Sequence, residues 1–372
     1  MKSIKEDNFK RILLLNSAQG KYPRGDDPWV KATVNALENL RDKSVRLIAS
    51  VGLNTWELTA YLGSKIGMDL ELIVPGAEDE EGWGSFAKAL KAFSLDRERT
   101  RPVFTGKASG RDFFTARDRL AFELADVVYP ISVLPGGRLD TLLKEFSNSG
   151  KEICDQFRIK LSRVSWTPRY CFPMEKLNPE LQLFERSWLT HWTHTWPGAW
   201  PAEEPWEFYR DMLADRGNYV RDAKQTLKRV IGEGLLRGSS WKMPRSESAI
   251  SFTALSPVET ISLMRWRKRY TRYSLEPYGL AFRQESLERR GARQVRYLRP
   301  REPVPSGEER LFTQSAGRKG NWAVEREWRL KGDLRLDEFT TEELVLIAED
   351  SEVSEVFRTK LDPIWKVVPL FI

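Results

Sequence analysis

The chain has 372 residues, 41% of them hydrophobic, including 14 Trp and 18 Phe, and a formal net charge of +7. This length exceeds one average domain and predicts two. No run of about 18 apolar residues occurs and no apolar signal region follows the charged N-terminus, so we expect a cytoplasmic protein without a membrane partner. Two cysteines argue against a disulfide framework.

The first half alternates short apolar runs with helical patterns. The runs at 11–16, 44–52, 69–75 and 125–133 predict strands, and residues 29–40, 55–62 and 141–146 predict helices. Strands that alternate with helices in this way predict a parallel sheet with right-handed crossovers. We therefore expect an α/β first domain.

A glycine turn at 134–140 leads into the helix predicted at 141–146. Backbone amides at such a turn and at a helix N-terminus can bind a phosphate. Residues 46–52 with the strand ending at 75, then 117–120 and the Pro-Gly-Gly at 135–137, resemble the Rossmann-like domain shared by DprA and the LOG proteins. The resemblance covers about residues 10 to 160.

The resemblance implies that a nucleotide or single-stranded DNA binds at the carboxyl ends of the strands, and it assigns five residues to nucleotide binding: Ser50, Gly52, Gly136, Gly137 and Arg138. The chain lacks the paired glycine-rich and glutamate signature of the LOG phosphoribohydrolases. We expect binding and no hydrolysis in this half. Residues 157–169 have no strong periodicity, and the prolines at 168 and 173 interrupt the chain, so we predict domains at 1–165 and 166–372.

Both histidines of the chain, His191 and His194, lie in the tryptophan-rich segment 187–196. On a helix they would share a face, and on a strand they would point to opposite sides. Because Pro197, Gly198 and Pro201 prevent a helix from continuing, we predict a strand or short turn at 188–195. The alternative role for the histidines is packing in an aromatic core. The spacing of the cysteines predicts no metal site.

The rest of the second half mixes helices and strands. Helices are predicted at 207–215, 223–231 and 257–266, and strands at 249–253, 278–282, 293–298 and 344–348. Residues 189–194 and 226–236 resemble the His-x-Thr strand and the following helix and Gly-Leu turn of the DarT-like branch of the ADP-ribosyltransferase superfamily. Residues 251–253, 278–282 and 325–329 resemble related abortive-infection proteins.

This resemblance implies an α+β ADP-ribosyltransferase-like domain, possible use of NAD, and a catalytic set of His191, Thr193, Tyr278 and Glu327. Glu327 would stabilise the oxocarbenium-like charge that forms when the bond to nicotinamide breaks. His191, assisted by Thr193, would bind the ribose or pyrophosphate, and Tyr278 would stack on a planar base. The alternatives are a structural salt bridge from Glu327 to Arg326 or Arg329, and core packing for Tyr278.

Positive charge is concentrated between residues 235 and 330, which contain 20 Lys and Arg but only 10 Asp and Glu. Arginine pairs with phosphates and stacks on bases, which suits nucleic acid, although a solvated surface of Arg-Glu pairs is the alternative. Our candidate nucleic-acid-binding residues are Arg237, Arg265, Arg267, Trp192 and Trp196.

These features suggest an enzyme that modifies a nucleobase, in DNA more than in RNA, with a catalytic second domain and a first domain that grips the polynucleotide. Its chemistry would be NAD-dependent ADP-ribosylation of a base. An alternative is hydration of an already modified base, such as conversion of a cyano-deazaguanine to its amide in a DNA-modification or phage-defence system with other operon proteins as partners. A third is a nucleotide-sensing protein without catalysis, and a fourth is a plain DNA-binding module.

Overall fold

The computed structural model describes residues 9–106, 110–162, 166–184, 187–215, 217–240, 243, 247–299, 301–315 and 322–372. The chain forms two compact units. Unit 1 contains Met1–Trp166 and Gly198–Val220, and unit 2 contains Thr167–Pro197 and Arg221–Ile372. The first passage between units therefore lies next to the predicted boundary at 165/166. Residues 198–220, which we placed in the second domain, belong instead to unit 1.

Unit 1 is built on a six-stranded sheet in which every pair is parallel, with the strand order β4-β3-β2-β1-β5-β6. Its strands are β1 (Lys10–Asn16), β2 (Val45–Ser50), β3 (Asp69–Val74), β4 (Thr100–Phe104), β5 (Val127–Ser132) and β6 (Glu152–Ile153). Its helices are α1 (Pro28–Leu40), α2 (Asn54–Lys65), α3 (Glu80–Ala92), α4 (Gly110–Leu124), α5 (Arg138–Asn148) and α6 (Pro205–Ala214). The predicted Rossmann-like parallel sheet is confirmed.

The continuous apolar runs form strands because both faces of this sheet are covered. In β1 the side chains from Ile12 to Leu15 are all buried, and Leu13 packs with Ile48 of β2 and Ile73 of β3. Burial on both faces is typical of parallel strands and removes the alternation seen in half-exposed sheets. β4 was not predicted, because it contains Arg101 and Pro102 and is only partly buried.

Helix α6 explains why the segment after Pro197 returns to unit 1. It begins with Pro205 after a capping box formed by Glu204 and Glu207. Tyr209 is buried, its ring stacks on Tyr61 at 6.1 Å, and its hydroxyl donates to Glu57 Oε2 at 2.7 Å. Burial of an aromatic ring with a satisfied hydroxyl is a strong local stabilisation. The sequence pattern predicted helix α6 but did not indicate that it packs against Tyr61 of unit 1.

Unit 2 contains a seven-stranded mixed sheet with the order β13-β16-β9-β7-β12-β18-β19. All of its pairs are antiparallel except β18 with β19. The unit's strands are β7 (Trp188–Trp192), β8 (Leu235–Leu236), β9 (Ala249–Thr253), β10 (Trp266–Arg267), β11 (Arg272–Tyr273), β12 (Gly279–Arg283), β13 (Arg293–Gln294), β14 (Arg296–Leu298), β15 (Thr313–Ser315), β16 (Glu327–Lys331), β17 (Leu334–Arg335), β18 (Leu344–Asp350) and β19 (Lys366–Phe371). Its helices are α7 (Ala223–Glu233), α8 (Pro257–Ile261), α9 (Gln284–Arg289) and α10 (Ser351–Leu361).

The two faces of this mixed sheet have different cores. Leu189, Phe252 and Leu280 pack with helices α7 and α10 on one face. Trp188 and Trp192 pack on the other face. Successive residues of a strand point to opposite faces, so β7 contributes alternately to both cores. The histidine-bearing segment is therefore a strand in the middle of the sheet.

Among the described helices of the chain, none combines the length and the apolar character needed to cross a bilayer.

Candidate active site

The carboxylate of Glu327 lies in a polar cluster where β16 begins. Its Oε1 accepts from Ser251 Oγ at 2.9 Å and from Arg329 Nε at 2.8 Å, and its Oε2 accepts from Arg329 Nη2 at 3.2 Å and from Tyr297 hydroxyl at 3.4 Å. The side chain is 14% exposed, compared with 6% for Arg329. The cluster therefore combines a carboxylate that solvent can reach with donors from three other residues.

Strand pairing explains how these residues meet. Glu327 pairs with Thr253, and Arg329 pairs with Ser251. Directly paired residues, and residues two apart on one strand, share a face of the sheet. Arg326, immediately before β16, has a φ of 45°, a strained conformation for a residue with a side chain. That turn lets Glu327 enter the strand with its side chain on the Ser251 face.

Arg329 is fully engaged in this cluster. Besides Glu327, it donates to the carbonyl of Leu311 at 2.8 Å and to Gln314 Oε1. The alternative salt bridge to Arg329 is thus present, while Arg326 lies instead near Glu259 at 3.8 Å. The guanidinium fixes the orientation of the Glu327 carboxylate by a two-point contact.

A second carboxylate, Glu325, lies close to the first. Burial raises the pKa of Glu325, the negative charge of Glu327 raises it further, and electrostatic interactions with Arg267, His194 and Arg272 oppose this rise. An imidazole and two guanidinium groups therefore lie near the Glu325 carboxyl. A partly buried carboxyl with a raised pKa is a candidate for a functional group.

His194 contacts a buried acid behind it. Its Nδ1 is 3.8 Å from Oε1 of Glu276, whose side chain is 1% exposed. Thr195 donates to Glu276 through its backbone N–H at 2.8 Å and its hydroxyl at 2.6 Å, and the hydroxyl of Tyr170 donates at 2.7 Å. Burial acts to raise the pKa of Glu276, but the interactions with His194 and Thr195 outweigh it and lower the pKa. The 3.8 Å separation is longer than a hydrogen bond, and in the described part of the chain the buried Nδ1 of His194 has no hydrogen-bond partner.

The structure does not bring His191 and Glu327 to one face of the sheet. Thr190 pairs with Thr253, which pairs with Glu327, so these three share a face and the neighbouring His191 points away from it. The His191 ring instead packs edge-on against Phe252 at 6.1 Å. This corrects the expectation that the first histidine and the glutamate converge, because the odd spacing along the strand separates them.

His191 has a defined protonation state. Its Nδ1 donates to the carbonyl oxygen of Ser251 at 2.9 Å, and burial lowers its pKa to about 4, with the charge of His194 acting in the same direction. A carbonyl can only accept, so the proton is on Nδ1 and the imidazole is neutral near pH 7. Ser251 thus contacts Glu327 through its side chain and His191 through its backbone.

Thr193 and Tyr278, which the resemblance placed in the catalytic set, are buried side chains with hydrogen-bond partners inside unit 2. Thr193 is 1% exposed, and its hydroxyl contacts the carbonyls of Ala223 and Tyr278 at 2.9 and 3.0 Å. Tyr278 is 4% exposed, and its hydroxyl donates to Glu349 at 2.6 Å. The ring therefore packs in the core, which was the alternative role for this residue.

The candidate nucleic-acid residues divide into two groups. Trp192 is 3% exposed in the core, and Arg237 pairs with Glu233 at 3.1 Å. Trp196 is half-buried, with its backbone N–H donating to the carbonyl of Arg221 at 2.8 Å. Arg265 is exposed. Arg267, in β10, is half-buried, and its Nε donates to Ser274 Oγ at 2.6 Å. Only the last two lie in a strongly basic surface segment.

The predicted nucleotide-binding groups of unit 1 are engaged within the chain. The hydroxyl of Ser50 donates to Ile73 O at 2.7 Å, Gly52 N–H donates to Glu57 at 2.9 Å, and Gly136 N–H donates to Asp140 at 3.0 Å. Gly137 N–H donates to Leu134 O at 3.0 Å, and Arg138 pairs with Asp118. Acidic side chains of the following helices thus take the positions expected for a phosphate, because helix N-termini favour any nearby anion. A phosphate ligand would have to displace them.

Sequence reasoning did not single out Tyr297 and Ser251, which contact Glu327, or Glu276, which lies beside His194. Ser251 could have been found from the strand pairing. Because Glu327 pairs with Thr253 and Arg329 pairs with Ser251, the four side chains share one face of the sheet. Tyr297 and Glu276 come from distant parts of the chain and give no local signal. Within the described residues, no group of three or more His, Cys, Asp or Glu could hold a metal ion.

Fold and site together define a two-unit α/β protein, with a parallel sheet in unit 1 and a cluster of carboxylate, hydroxyl and guanidinium groups on the mixed sheet of unit 2. No family model matches the chain, and no curated protein matches it.

Proposed function

We propose that unit 2 is an enzyme of the ADP-ribosyltransferase type that modifies a base of DNA, with NAD as its second substrate. The observation that supports this proposal best is the Glu327 carboxylate, which is oriented by Arg329 and Ser251 and remains 14% exposed. A carboxylate held in this way stabilises positive charge that develops on a neighbouring sugar carbon.

The residues present fit such a substrate. Arg267 and Arg272 lie near Glu325 and supply cations that can pair with a pyrophosphate. Ser251 and Glu327 supply the polar groups for a ribose. NAD provides a ribosyl carbon whose bond to nicotinamide breaks, with the bonding electrons leaving on the nicotinamide nitrogen. The base nitrogen that takes its place must lose a proton.

His194 is the residue that we assign to that proton. Its Nδ1 faces the buried Glu276, so the proton would be accepted at Nε2. His191, which was expected to bind the ribose or pyrophosphate, has no part in this proposal, because its imidazole packs against Phe252 on the opposite face from Glu327. His194 is 34% exposed at the side chain, so it can be reached from solvent.

A second candidate function is hydration of an already modified base, such as conversion of a nitrile-bearing deazaguanine to its amide. The pair of His194 and Glu276 favours it, because an imidazole supported by a carboxylate is a common general acid-base device. This reaction adds one water across the nitrile and requires no NAD.

The test is to incubate the full chain with oligonucleotides, with and without NAD, and to weigh the products. A mass gain of one ADP-ribosyl group that requires NAD supports the first proposal, and a gain of one water on a nitrile-bearing oligonucleotide supports the second. Glu327→Gln should lower the rate of ADP-ribosylation by about 100-fold or more. If no nucleic acid gives either product, the chain is not a base-modifying enzyme.

The matched control for Glu327→Gln is Glu355→Gln, an exposed acid of the same unit that pairs with Arg358 at 3.3 Å. It loses the same charge outside the site and should retain full activity. A loss of activity in both variants would mean that the effect does not come from the site.

A further inference from the structure

Residues 265–273 form a short antiparallel hairpin, which we call the basic hairpin. Strands β10 and β11 pair Trp266 with Tyr273 and Arg267 with Arg272. Its turn is a 3-10 helix, Lys268–Tyr270, that ends at Thr271 with a φ of 46°. The left-handed residue closes the turn and directs the second strand back along the first.

The charge of this hairpin is of one sign. It carries five cations, Arg265, Arg267, Lys268, Arg269 and Arg272, and no acidic residue occurs from 260 to 275. Arg265, Lys268 and Arg269 are exposed. In the part of the chain that the structure describes, no carboxylate pairs with any of these three. Exposed cations without a paired acid attract polyanions.

Aromatic side chains lie between the cations. Trp266 and Tyr273 are half-buried and contact each other edge-to-face at 5.5 Å, and Tyr270 is 48% exposed. Aromatic faces stack with bases whatever the sequence, while cations follow the phosphates. An anionic membrane or an acidic protein would use the cations but has no bases to stack on the tyrosine.

The base of the hairpin leads to the candidate active site. The ring of Tyr273 lies 5.0 Å from that of Tyr170, and the hydroxyl of Tyr170 donates to Glu276 at 2.7 Å. Glu276 in turn faces His194 at 3.8 Å. A strand held on the hairpin would therefore have its bases close to the residues assigned to proton transfer.

We propose that the basic hairpin binds the phosphate backbone of single-stranded nucleic acid and presents a base to the site of unit 2. The presentation of a base rests on the proposed function, whereas the binding itself does not.

The experiment measures binding of single-stranded oligothymidylate to the full chain as a function of salt. The variant Arg265→Ala, Lys268→Ala, Arg269→Ala should bind more weakly than the wild type at low salt, and the difference should shrink as the salt concentration rises. The slope of log K against log salt should become shallower by about 2, because each lost contact with single-stranded phosphate removes about 0.7. All measurements are repeated in the Glu327→Gln background, which separates binding from turnover.

The matched control removes two arginines and one lysine elsewhere in the same unit: Arg335→Ala, Arg358→Ala, Lys366→Ala. Each of these cations pairs with an acid, Asp337, Glu355 and Glu180 respectively. Their net contribution to phosphate binding should be small, so the slope should stay at the wild-type value. An equal change in both triple variants would show a general charge effect and overturn the proposal.

Vesicles containing phosphatidylserine serve as the competing polyanion. The proposal expects weaker binding to these vesicles than to the oligonucleotide at matched phosphate concentration, and equal or tighter binding would overturn it. If oligothymidylate binding depends on the hairpin but no modified base is found, the binding proposal stands and the proposed function fails. If products form while the hairpin variant binds and reacts normally, the proposed function stands and the hairpin proposal fails.

Discussion

Ser251 is the residue that connects the two faces of the mixed sheet. Its hydroxyl donates to Glu327 at 2.9 Å, and its carbonyl accepts from His191 at 2.9 Å. The side chain acts on the polar cluster, and the backbone orients an imidazole on the other face. A substitution that removes only the hydroxyl therefore tests one of these two roles.

We predict that Ser251→Ala lowers the free energy of unfolding by about 1 kcal/mol, since one hydrogen bond to a partly buried carboxylate is lost. The rate of base modification should fall, because Glu327 loses one of the donors that orient it. Urea unfolding and product mass measure the two effects. Ser262→Ala is the control, because its exposed hydroxyl donates only to the carbonyl of Glu259. Wild-type turnover in Ser251→Ala would remove this serine from the site.

His191 makes stability depend on pH. Its folded pKa of about 4 lies below the ordinary value of about 6.5, so between these pH values the unfolded chain binds a proton that the folded chain does not. Stability should therefore fall as the pH drops from about 6.5 towards 4, and no such effect should occur above that window.

We predict that His191→Asn flattens the fall in stability between pH 6.5 and 4.5. The amide can still donate to the carbonyl of Ser251 but does not titrate. The measurement is the urea midpoint across pH for the variant and the wild type. The comparison at pH 8, where both side chains are neutral, gives the packing cost alone. An identical pH dependence in the two proteins would assign it to other groups.

The candidate site was only partly predictable, because residue types can be read from the sequence but the positions of side chains in the sheet cannot. Glu327 was selected by resemblance, and its catalytic role stays a prediction. The face of the sheet on which His191 lies depends on how β7 pairs with its neighbouring strands. That register cannot be read from the sequence of β7 alone. Thr193 and Tyr278 were assigned by the same resemblance, which does not show that both side chains are buried and bonded to carbonyl or carboxylate groups.

At the scale of elements, strands were predictable wherever apolar patterning was strong. β2, β3, β5 and β9 fall within predicted strands, and β1, β12 and β18 overlap theirs but extend one or two residues beyond them. The single strand expected at 293–298 is two strands in different sheets, separated by the buried Val295. Helix α8 ends at Ile261, five residues before the predicted end. Short or charged elements such as the basic hairpin carry no periodicity that predicts them.

The packing of β12 against β7 depends on the absence of a side chain at Gly279. A Cβ there would lie 2.8 Å from the carbonyl oxygen of His191 and 2.9 Å from the ring of Trp192. Backbone and an indole in a core cannot move aside cheaply. This glycine therefore sets the distance between two central strands.

We predict that Gly279→Ala lowers the free energy of unfolding by about 1 to 3 kcal/mol, as overpacking does in cores. Gly232 in helix α7 is the matched control, since a Cβ there meets open space. Gly232→Ala should stabilise the chain by up to about 1 kcal/mol, because alanine favours helix more than glycine does. The pair is measured by urea unfolding. A loss of stability in both variants would show that the space around the added Cβ does not by itself decide the effect of the substitution.

At the scale of the molecule, each unit has its own hydrophobic core. Leu47 in unit 1 and Leu280 in unit 2 are both fully buried. A chain with separate cores does not have to unfold as a single two-state system.

We predict that Leu47→Ala and Leu280→Ala each cost about 2 to 5 kcal/mol and shift different parts of the urea unfolding curve. Circular dichroism follows the whole chain, and hydrogen exchange of peptides from each sheet identifies the unit that opens. If the two variants shift one common transition by the same amount, the chain unfolds as one cooperative body.

The division of unit 1 into two stretches of chain affects the order in which the protein can fold as it is synthesised. Its sheet is complete by Ile153, but α6 is translated only after β7 of unit 2. A ribosome therefore releases a largely apolar strand, with its tryptophans, before any of its neighbours in the mixed sheet exist. Such a segment is the natural target for a chaperone during translation, and slowing the ribosome after residue 197 should increase aggregation of the nascent chain.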